Sequence, residues 1–416
     1  MLLLSRNPAG AGRPLTLAGI VACIAAAPAG AADIYYQPIV SLSTAYNTNL
    51  DLSPLASDQR SAEGYYADAA TTIGIATPQS ETNLQPRVLY NYYPSASDRD
   101  RLEAFLNGNS RYSWQRDRFN ITGTFDHRDD VNAEQPGAAD DNTVNPGTGN
   151  TTPTTGRTLV GVTRNYLIVD PTYTHLLTPL SGMGIAGEYQ RMSYSQEDAD
   201  HIGYDFYQGK LFYSKTIDLR TDFAFGVYGN HYESRIVDSH SNSGGVQASG
   251  GYNWTQTLHS ALSVQFQETQ FRETNTDTGD VLAVTSHPWA ANFSTVYDAQ
   301  TSKYTVSLGR TIYPSSAGGL YQTDQVRAQY DKDYTVRLHF TAAIRVFRDR
   351  NVSGVVNDDY RNYAAGNLRV QYMLTPRLFV ATSYTYLYQK YRFDLNSAQA
   401  DVVNVSFGYR GLDRQR

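Results

Sequence analysis

Residues 325–347 read QVRAQYDKDYTVRLHFTAAIRVF, two alternating segments on either side of the polar connection Asp331-Lys332-Asp333. From Tyr334 to Val346 the even-numbered positions are all apolar, and most odd-numbered positions are polar or basic. Successive side chains of a β-strand point to opposite faces, so this segment predicts a strand with one apolar face and one wet, cationic face. The stretch therefore predicts a β-hairpin that turns at Asp331-Lys332-Asp333.

Two kinds of protein use such a hairpin. A soluble sheet would pack the apolar face on a core, whereas a transmembrane barrel would turn it toward lipid and keep water inside. The barrel is favoured if the same alternating unit fills the chain and if the chain is exported. The sequence meets both conditions.

The composition excludes a helical membrane protein. The 416 residues are 41% hydrophobic, and no window approaches the roughly 18 consecutive apolar residues that a spanning helix needs. The chain contains 33 Tyr and 32 Gly but only 3 Trp and 1 Cys. This bias favours strands and membrane-interface aromatics over helices.

The first 32 residues have the organisation of a secretory signal peptide. Arg6 and Arg13 supply positive charge, residues 15–27 form an apolar run, and small residues at 29–32 offer a cleavage site. We therefore divide the chain into a signal peptide, 1–32, and one barrel domain, 33–416. The alternative is a lipoprotein cleavage box at 20–23 that would leave a lipidated Cys23; the apolar run continues past Cys23, which favours the ordinary signal.

The charge balance argues against nucleic acid as a partner. Removing Arg6 and Arg13 with the signal leaves 32 basic residues against 40 acidic ones, a net charge of −8. A nucleic-acid-binding surface is usually basic. Cleavage also removes the single cysteine, so an exported chain of this kind would contain no disulfide.

Alternating segments of roughly 9 to 14 residues continue to the end of the chain, the length that a tilted strand needs to cross an outer membrane. We count about 18 strands, within a range of about 16 to 18. The first is 34–46, and the clearest others are 119–125, 166–175, 185–194, 223–232, 261–271, 304–312, 368–373, 378–391 and 402–409.

The connections between these segments alternate between short and long. The short ones are 77–81, 115–118, 177–180, 215–220, 256–259, 298–303, 331–333 and 374–377. The long ones are 50–64, 129–158, 234–245, 273–281, 348–359 and 395–400. Short periplasmic turns and long extracellular loops are typical of an up-and-down antiparallel barrel in the bacterial outer membrane. The long segment 129–158 lacks apolar periodicity, and it is a candidate to narrow the pore mouth.

The last alternating segment, around 403–410, resembles the final-strand signal by which the barrel assembly machinery recognises its substrates. Val403, Val405, Phe407 and Tyr409 share one face. Residues 411–416 follow this segment, whereas that signal usually ends at an aromatic chain terminus. We expect outer-membrane lipid and the assembly machinery as partners.

A repeated turn carries a more specific resemblance. YTHLLTP at 173–179 and YMLTPRLFV at 372–380 share a Tyr, a Leu-Thr-Pro turn and an alternating segment. The chain resembles the β-barrel porin family whose members accompany exopolysaccharide synthesis and export clusters. That resemblance implies an outer-membrane location, polysaccharide as a possible cargo and periplasmic export components as partners.

Motifs for covalent chemistry are weak. GMGIAG at 182–187 has the spelling of a dinucleotide-binding loop, but it opens an alternating segment rather than a helix. The 8 histidines are scattered, with no HExxH or CxxC partner. A barrel lipase with Ser and His on its outer wall is an alternative without a local motif. We therefore predict no enzyme, no catalytic or metal site and no cofactor.

The candidate functional residues are charged side chains opposite the apolar face of each strand. On the last strands these pore-lining candidates are Arg327, Arg337, His339, Arg345, Arg369 and Arg410. On earlier strands they are Asp126, Asp170, Glu188, Asp205 and Asp222. Because strand order in such a barrel follows sequence order, a cationic wall would face an acidic wall across one lumen. The alternative is that these charges pair between neighbouring strands and only solvate the interior.

Tyrosines are predicted on both faces. Tyr384, Tyr386 and Tyr388 share the apolar face and fit a membrane-interface girdle, whereas Tyr207, Tyr213 and Tyr228 are predicted on the inner face, where rings can stack on sugars. A passive conduit for secreted exopolysaccharide is the favoured function. A general diffusion porin for small polar solutes and a non-conducting structural barrel of an export complex are the alternatives.

Overall fold

The structure, a computed structural model, describes residues 33–138, 161–197, 201–234, 239–274, 281–315, 319–351, 360–392 and 394–411. The expected signal peptide, Cys23 and most of segment 129–158 lie outside these residues. In the described part of the chain, no helix is long and apolar enough to cross a membrane.

Nearly all of the described chain is β-strand. The strands are β1 Asp33–Asn47, β2 Ala62–Ala76, β3 Ser80–Tyr92, β4 Arg101–Trp114, β5 Asp117–Asp129, β6 Thr163–Thr178, β7 Ser181–Tyr194, β8 Tyr204–Thr216, β9 Thr221–Ser234, β10 Ser239–Asn253, β11 Leu258–Thr274, β12 Val281–Ser286, β13 Trp289–Ala299, β14 Ser302–Ser315, β15 Gly319–Asp333, β16 Leu338–Asn351, β17 Tyr360–Met373, β18 Leu378–Tyr391 and β19 Ala398–Arg410. A 3₁₀ turn, Ser97–Arg99, and a five-residue helix, Asp130–Glu134, complete the described elements.

The strands form one closed antiparallel barrel. Apart from β12 and β13, each strand pairs with its neighbours in sequence, and β1 pairs with β19 from Ile39↔Arg410 to Asn47↔Val402, which closes the sheet. β12 and β13 both pair with β11, one after the other, so together they occupy a single strand position. The barrel therefore has 18 strand positions, as the sequence predicted.

The interruption between β12 and β13 has a local cause. Pro288 follows His287 and has no backbone N–H to donate to the ladder. Its carbonyl still accepts a hydrogen bond from the Gln267 backbone N–H at 3.2 Å, so the strand continues past the break.

The outer face follows from the alternation. In β1 the even-numbered residues Ile34, Tyr36, Val40, Leu42 and Tyr46 are all exposed and apolar. Exposed apolar side chains repeat in the same way on most other strands, for example Phe223, Phe225 and Val227 on β9. A soluble monomer rarely exposes so large a continuous apolar surface.

The predicted strands all fall within observed ones, and the prediction for β18 has both bounds correct. The turn of the opening hairpin was wrong. β15 continues through Asp333, and the turn occupies residues 334–337, so Tyr334 and Val336 are exposed turn residues.

Turn chemistry explains that error. The Thr335 hydroxyl accepts hydrogen bonds from the backbone N–H groups of Arg337 and Leu338, at 3.2 and 3.0 Å. Thr375 makes the equivalent bonds in the predicted Leu-Thr-Pro turn at 374–377. The segment YTVR thus forms the same threonine-stabilised turn as LTPR, although its residues also alternate like a strand.

Connections at the end of the barrel that bears these turns are 2 to 4 residues long; we call it the turn end. At the other, loop end they range from 3 to 33 residues. The predicted long loop 234–245 was wrong, since β9 and β10 extend to leave only 235–238 between them. Small residues such as Ser241 and Gly245 had suggested a loop, yet they occupy ladder positions on β10.

Candidate functional site: the lumen and its constriction

Contacts across the barrel identify the inner face. Arg361 and Tyr363 on β17 hydrogen-bond to Glu134 and Pro136, which follow β5 in the chain. Because side chains alternate, Arg369 and Gln371 on β17 share this inner face with Arg361. The same alternation, in register with the neighbouring strands, assigns inner and outer faces around the barrel.

The lumen contains a cavity of about 570 Å³. Three of the predicted residues, His339, Arg369 and Arg410, line it together. Asp68 and Arg87, which the sequence analysis did not select, line the same cavity, and Gly137 and Ala138 border it.

We call Arg327, Arg345, Arg369 and Arg410 the basic arc, because all four point inward from β15, β16, β17 and β19. Arg327 and Arg345 are direct cross-strand partners, so two like charges lie side by side. Arg345 also lies over the Phe347 ring, 5.2 Å from its centroid. Within the described residues, neither Arg345 nor Arg410 has a carboxylate within 4.0 Å.

Acidic residues on these strands lie toward the strand ends. Asp349 is nearer the loop end, where its cross-strand partner is Arg361. At the turn end, Asp333 contacts His339 at 2.5 Å and Asp331 accepts from the Thr341 hydroxyl at 2.8 Å. Arg327 and Arg345 therefore lie at mid-strand, whereas Arg369 shares a ladder row with Thr341 and Asp331, and Arg410 ends β19 at the turn end.

The acidic wall is mixed rather than purely acidic. Asp170 and Glu188 point inward and have neutral partners, Thr122 at 3.3 Å and Gln190. Asp126 is instead buried against Arg128, whose Nε donates to it at 2.8 Å. The sequence left open that all lumen charges pair with neighbouring side chains. Asp126 does so, whereas Asp170 and Glu188 have neutral partners.

The two walls face each other across the barrel. With β12 and β13 counted as one position, β6 and β16 are nine strands apart in a ring of 18, and so are β7 and β17. The strand that carries Asp170 is therefore opposite the strand that carries Arg345, and the strand of Glu188 is opposite that of Arg369. Asp222 also points inward, close to the turn end of β9.

Two predicted pore-lining residues lie elsewhere. Arg337 is exposed in the turn at 334–337 because β16 begins only at Leu338. Asp205 points outward, where it accepts a hydrogen bond from the Tyr189 hydroxyl at 2.8 Å. Residues 204–207 place an aromatic ring on both faces of β8, which made the apolar face ambiguous in the sequence.

The tyrosine predictions have a mixed outcome. Tyr384, Tyr386 and Tyr388 lie on the outer face of β18, as expected. Tyr228 points inward and donates to Gln267 at 2.9 Å. The prediction for Tyr207 and Tyr213 was wrong, since both are exposed on the outer face with Leu211.

A short segment of the chain folds into the lumen after β5. The helix Asp130–Glu134 begins at Asp129, whose side chain accepts from the Val131 backbone N–H at 3.1 Å. Val131 and Ala133 are almost completely buried, and so is Ala138, which packs with Phe347, Tyr363 and neighbouring residues. We call residues 130–138 the inward segment.

Charged groups from distant strands hold the inward segment. Glu134 is fully buried between Arg361, 3.4 Å away on β17, and Arg164, 3.8 Å away on β6. β6 and β17 are eight strand positions apart in the ring of 18. The inward segment therefore reaches across the lumen near its loop end and narrows it.

Further ion pairs tie the surrounding loops together. Asp129 accepts from the Arg99 guanidinium at 2.9 Å, and His201 lies 3.2 Å from Asp130. Outside the strands, Arg60 contacts Asp51 at 3.1 Å and Asp98 at 2.9 Å. The hydrogen bonds from Arg60 hold the pKa of Asp98 below its ordinary value.

Sequence reasoning missed two kinds of lumen residue. Asp68 and Arg87 form an inward ion pair at 2.7 Å, and the alternation of β2 and β3 would have identified them. The contact between Glu134 and Arg361 could not be predicted from alternation, because the two residues are 227 positions apart and Glu134 lies outside any strand.

The glycine-rich motif and the histidines can be located in the fold. GMGIAG at 182–187 lies inside β7, so it opens no helix on which a dinucleotide phosphate could bind. Among the residues that the structure describes, no three His, Cys, Asp or Glu side chains are grouped to hold a metal ion.

No family model matches the chain, and no curated protein matches it. Among solved structures it is similar to OccK2 (OpdF) of Pseudomonas aeruginosa in complex with glucuronate, with 12% identity, a TM-score of 0.43 and coverage of 91% of this chain and 99% of the other. OccAB3 of Acinetobacter baumannii gives 11% identity and a TM-score of 0.43, over 90% and 99% of the two chains.

The unliganded ferric citrate transporter FecA gives a TM-score of 0.45 at 11% identity, and the match covers 85% of this chain. The chain spans only 60% of the length of that transporter. At these TM-scores, none of the three similarities establishes a function.

Proposed function

We propose that the protein is a passive channel of the bacterial outer membrane for anionic, saccharide-sized solutes. The observation that carries this proposal is the basic arc: Arg345 points into the lumen at mid-strand, and Arg369 and Arg410 line the lumen cavity. A channel of this kind works by an aqueous, charged lumen and needs no covalent chemistry.

The outer surface supports a membrane location. Exposed apolar side chains cover the mid-strand outer face, and aromatic rings gather toward both ends. Tyr304 and Tyr330 stack at 4.6 Å near the turn end, whereas Tyr189 and Tyr207 pack at 5.1 Å near the loop end. Two aromatic bands around an apolar one are typical of outer-membrane barrels.

The lumen charges support a preference for anions. Arg345 and Arg410 have no carboxylate close by among the described residues, so their charge acts on whatever enters the lumen. Guanidinium groups bind carboxylate and phosphate through paired hydrogen bonds. Asp170 and Glu188 on the facing wall would orient a polar solute across the lumen rather than attract it.

The inward segment supports a size limit. It crosses the lumen near the loop end and borders the 570 Å³ cavity. A cavity of this volume falls in the range that small-molecule sites occupy. With the inward segment across the lumen, a polymer would need this segment to move.

The finer form of the proposal is a conduit for a secreted exopolysaccharide strand, working with periplasmic export components. The Leu-Thr-Pro turns that resemble the exopolysaccharide-associated porins are its support, together with a lumen that carries arginines for acidic sugars. A general diffusion porin and a non-conducting structural barrel are the competing functions, and the latter is favoured if the Glu134 contacts keep the lumen shut.

Single-channel recording of the refolded protein in a planar bilayer tests the proposal. We expect a stable open conductance with anion preference and block by acidic oligosaccharides but not by neutral ones of equal length. Large conductance without block would indicate a general porin. Absence of conductance would indicate a structural barrel and overturn the channel proposal.

A further inference from the structure

The outer face of the barrel carries a localised group of cations near the loop end. We call Arg310, Arg348, Arg350 and Lys390 the basic rim; they lie on β14, β16 and β18. They point away from the lumen because, as even-numbered residues, they share the outer face of β14, β16 and β18 with Leu308, Val346 and Tyr388. The channel function uses none of them.

The ladder register places the basic rim in two adjacent rows. Arg310, Asp324, Arg348, Asn362 and Lys390 are successive cross-strand partners on β14 to β18. Arg350 lies two residues beyond Arg348 toward the loop end, with Tyr360 as its partner.

The next outward row toward the turn end is apolar. Leu308, Val326, Val346, Ala364 and Tyr388 are again successive partners, two residues from the first cationic row. Two residues of a strand span about 7 Å. The basic rim therefore begins within about 7 Å of a surface suited to acyl chains, the depth of a lipid headgroup.

Acidic neighbours do not neutralise this group. Asp324 accepts from Arg310 Nε at 2.5 Å, which occupies that carboxylate, and Arg350 is 3.6 Å from it. Among the described residues, Arg348 contacts neutral groups: its Nε donates to Asn362 at 2.8 Å, and its guanidinium lies over the Tyr360 ring. Within the part of the chain that the structure describes, Asp324 is the one carboxylate within 4 Å of these four cations.

Aromatic rings pre-position the guanidinium groups. Arg310 lies 4.2 Å from the Trp289 ring centroid, and Arg348 lies 5.1 Å from that of Tyr360. Stacking holds a planar guanidinium in place. Asp324 takes up the edge of Arg310, whereas the hydrogen bond described for Arg348 uses its Nε alone, so its terminal nitrogens can bind an anion.

The rest of the outer rim differs. At the loop ends of β7 and β8, the outward pair is Arg191 and Asp205, 3.9 Å apart. Glu233 on β9 and Glu268 on β11 add outward acids further around the barrel. Arg272 on β11 also points outward, so near the described loop ends of β7 to β11 two arginines stand beside three acids, and this side has no cationic surplus.

We propose that the basic rim binds the phosphate groups of a phosphorylated outer-leaflet lipid whose acyl chains lie on the apolar row below. The proposal rests on the membrane location that we infer for the barrel, but not on conduction. Charge complementarity and the adjoining apolar row both select a phospholipid or phosphoglycolipid over a soluble anion, because only a lipid contacts both rows.

Native mass spectrometry of the refolded protein in detergent tests this assignment. The probes are bisphosphorylated lipid A and the same lipid after removal of both phosphates. We expect the protein to retain the phosphorylated probe, and R348Q/R350Q to bind it roughly tenfold or more weakly. The matched control R191Q removes an outer-rim arginine beside Asp205 and should bind like the unchanged protein.

Equal retention of the two probes, or equal binding by R348Q/R350Q, would overturn the proposal. Inorganic phosphate that binds the rim as tightly as the lipid would also overturn it. Bilayer conductance of R348Q/R350Q should match that of the unchanged protein because the rim lies outside the lumen. If the protein binds lipid A but does not conduct, the channel proposal is wrong and the lipid-binding proposal is supported.

Discussion

The Arg361 guanidinium donates a hydrogen bond of 2.5 Å to the backbone carbonyl of Glu134, and it lies 3.4 Å from the carboxylate of the same residue. One arginine of the barrel wall thus holds both the main chain and the side chain of the inward segment. Because Arg164 approaches Glu134 from β6, the segment is fixed from two sides of the lumen.

Replacing Arg361 with Gln should release the inward segment. Loss of one partner from a buried charge pair costs about 3–5 kcal/mol because the other charge stays buried without compensation. We expect R361Q to show a larger single-channel conductance, with more frequent transitions between levels, in a planar bilayer.

The exposed turn arginine Arg377 provides the matched control. R377Q removes the same charge from the chain without touching the lumen, so its conductance should equal that of the unchanged protein. Identical traces for R361Q and R377Q would show that the segment does not limit conduction.

The basic arc should set ion selectivity. In R345Q/R369Q/R410Q, the lumen loses three positive charges, and we expect anion preference at low salt to fall by roughly an order of magnitude. The measurement is the reversal potential across a salt gradient. R337Q removes a turn arginine outside the lumen and should leave that potential unchanged; an unchanged potential in the triple variant would contradict the role of the arc.

The acidic residues opposite the basic arc should lower the anion preference of the channel. Asp170 and Glu188 have neutral partners, so D170N/E188Q removes two uncompensated negative charges and should increase anion preference. The effect should shrink near 1 M salt, where the Debye length falls to about 3 Å. Reversal potentials at two ionic strengths check both expectations, and D205N, on the outer face, is the control.

Much of the fold was predictable because the barrel repeats one simple rule. Lipid outside and water inside force alternation on nearly every strand, so β18 could be bounded correctly from its residues alone. The rule failed at β8, where Tyr204, Phe206 and Tyr207 put rings on both faces and Asp205 was assigned to the wrong side.

The candidate site was less predictable. The basic arc lies on regular strands, so its inward direction followed from alternation. The constriction depends on Glu134, a residue outside the strands, and on arginines that are distant in sequence. No local pattern encodes such a contact, because the closed barrel brings its members together only after folding.

Thr335 gives a test of the turn chemistry that misled the sequence prediction. Its hydroxyl accepts two backbone N–H bonds in the turn at 334–337, as that of Thr375 does at 374–377. T335A should therefore lower the free energy of unfolding by about 1 kcal/mol, and T375A by a similar amount. The measurement is urea unfolding in lipid vesicles, followed by tryptophan fluorescence.

V336A is the control, because the Val336 side chain is 92% exposed and contributes no turn hydrogen bond. If V336A lowers the free energy of unfolding as much as T335A does, the threonine hydrogen bonds do not stabilise the turn.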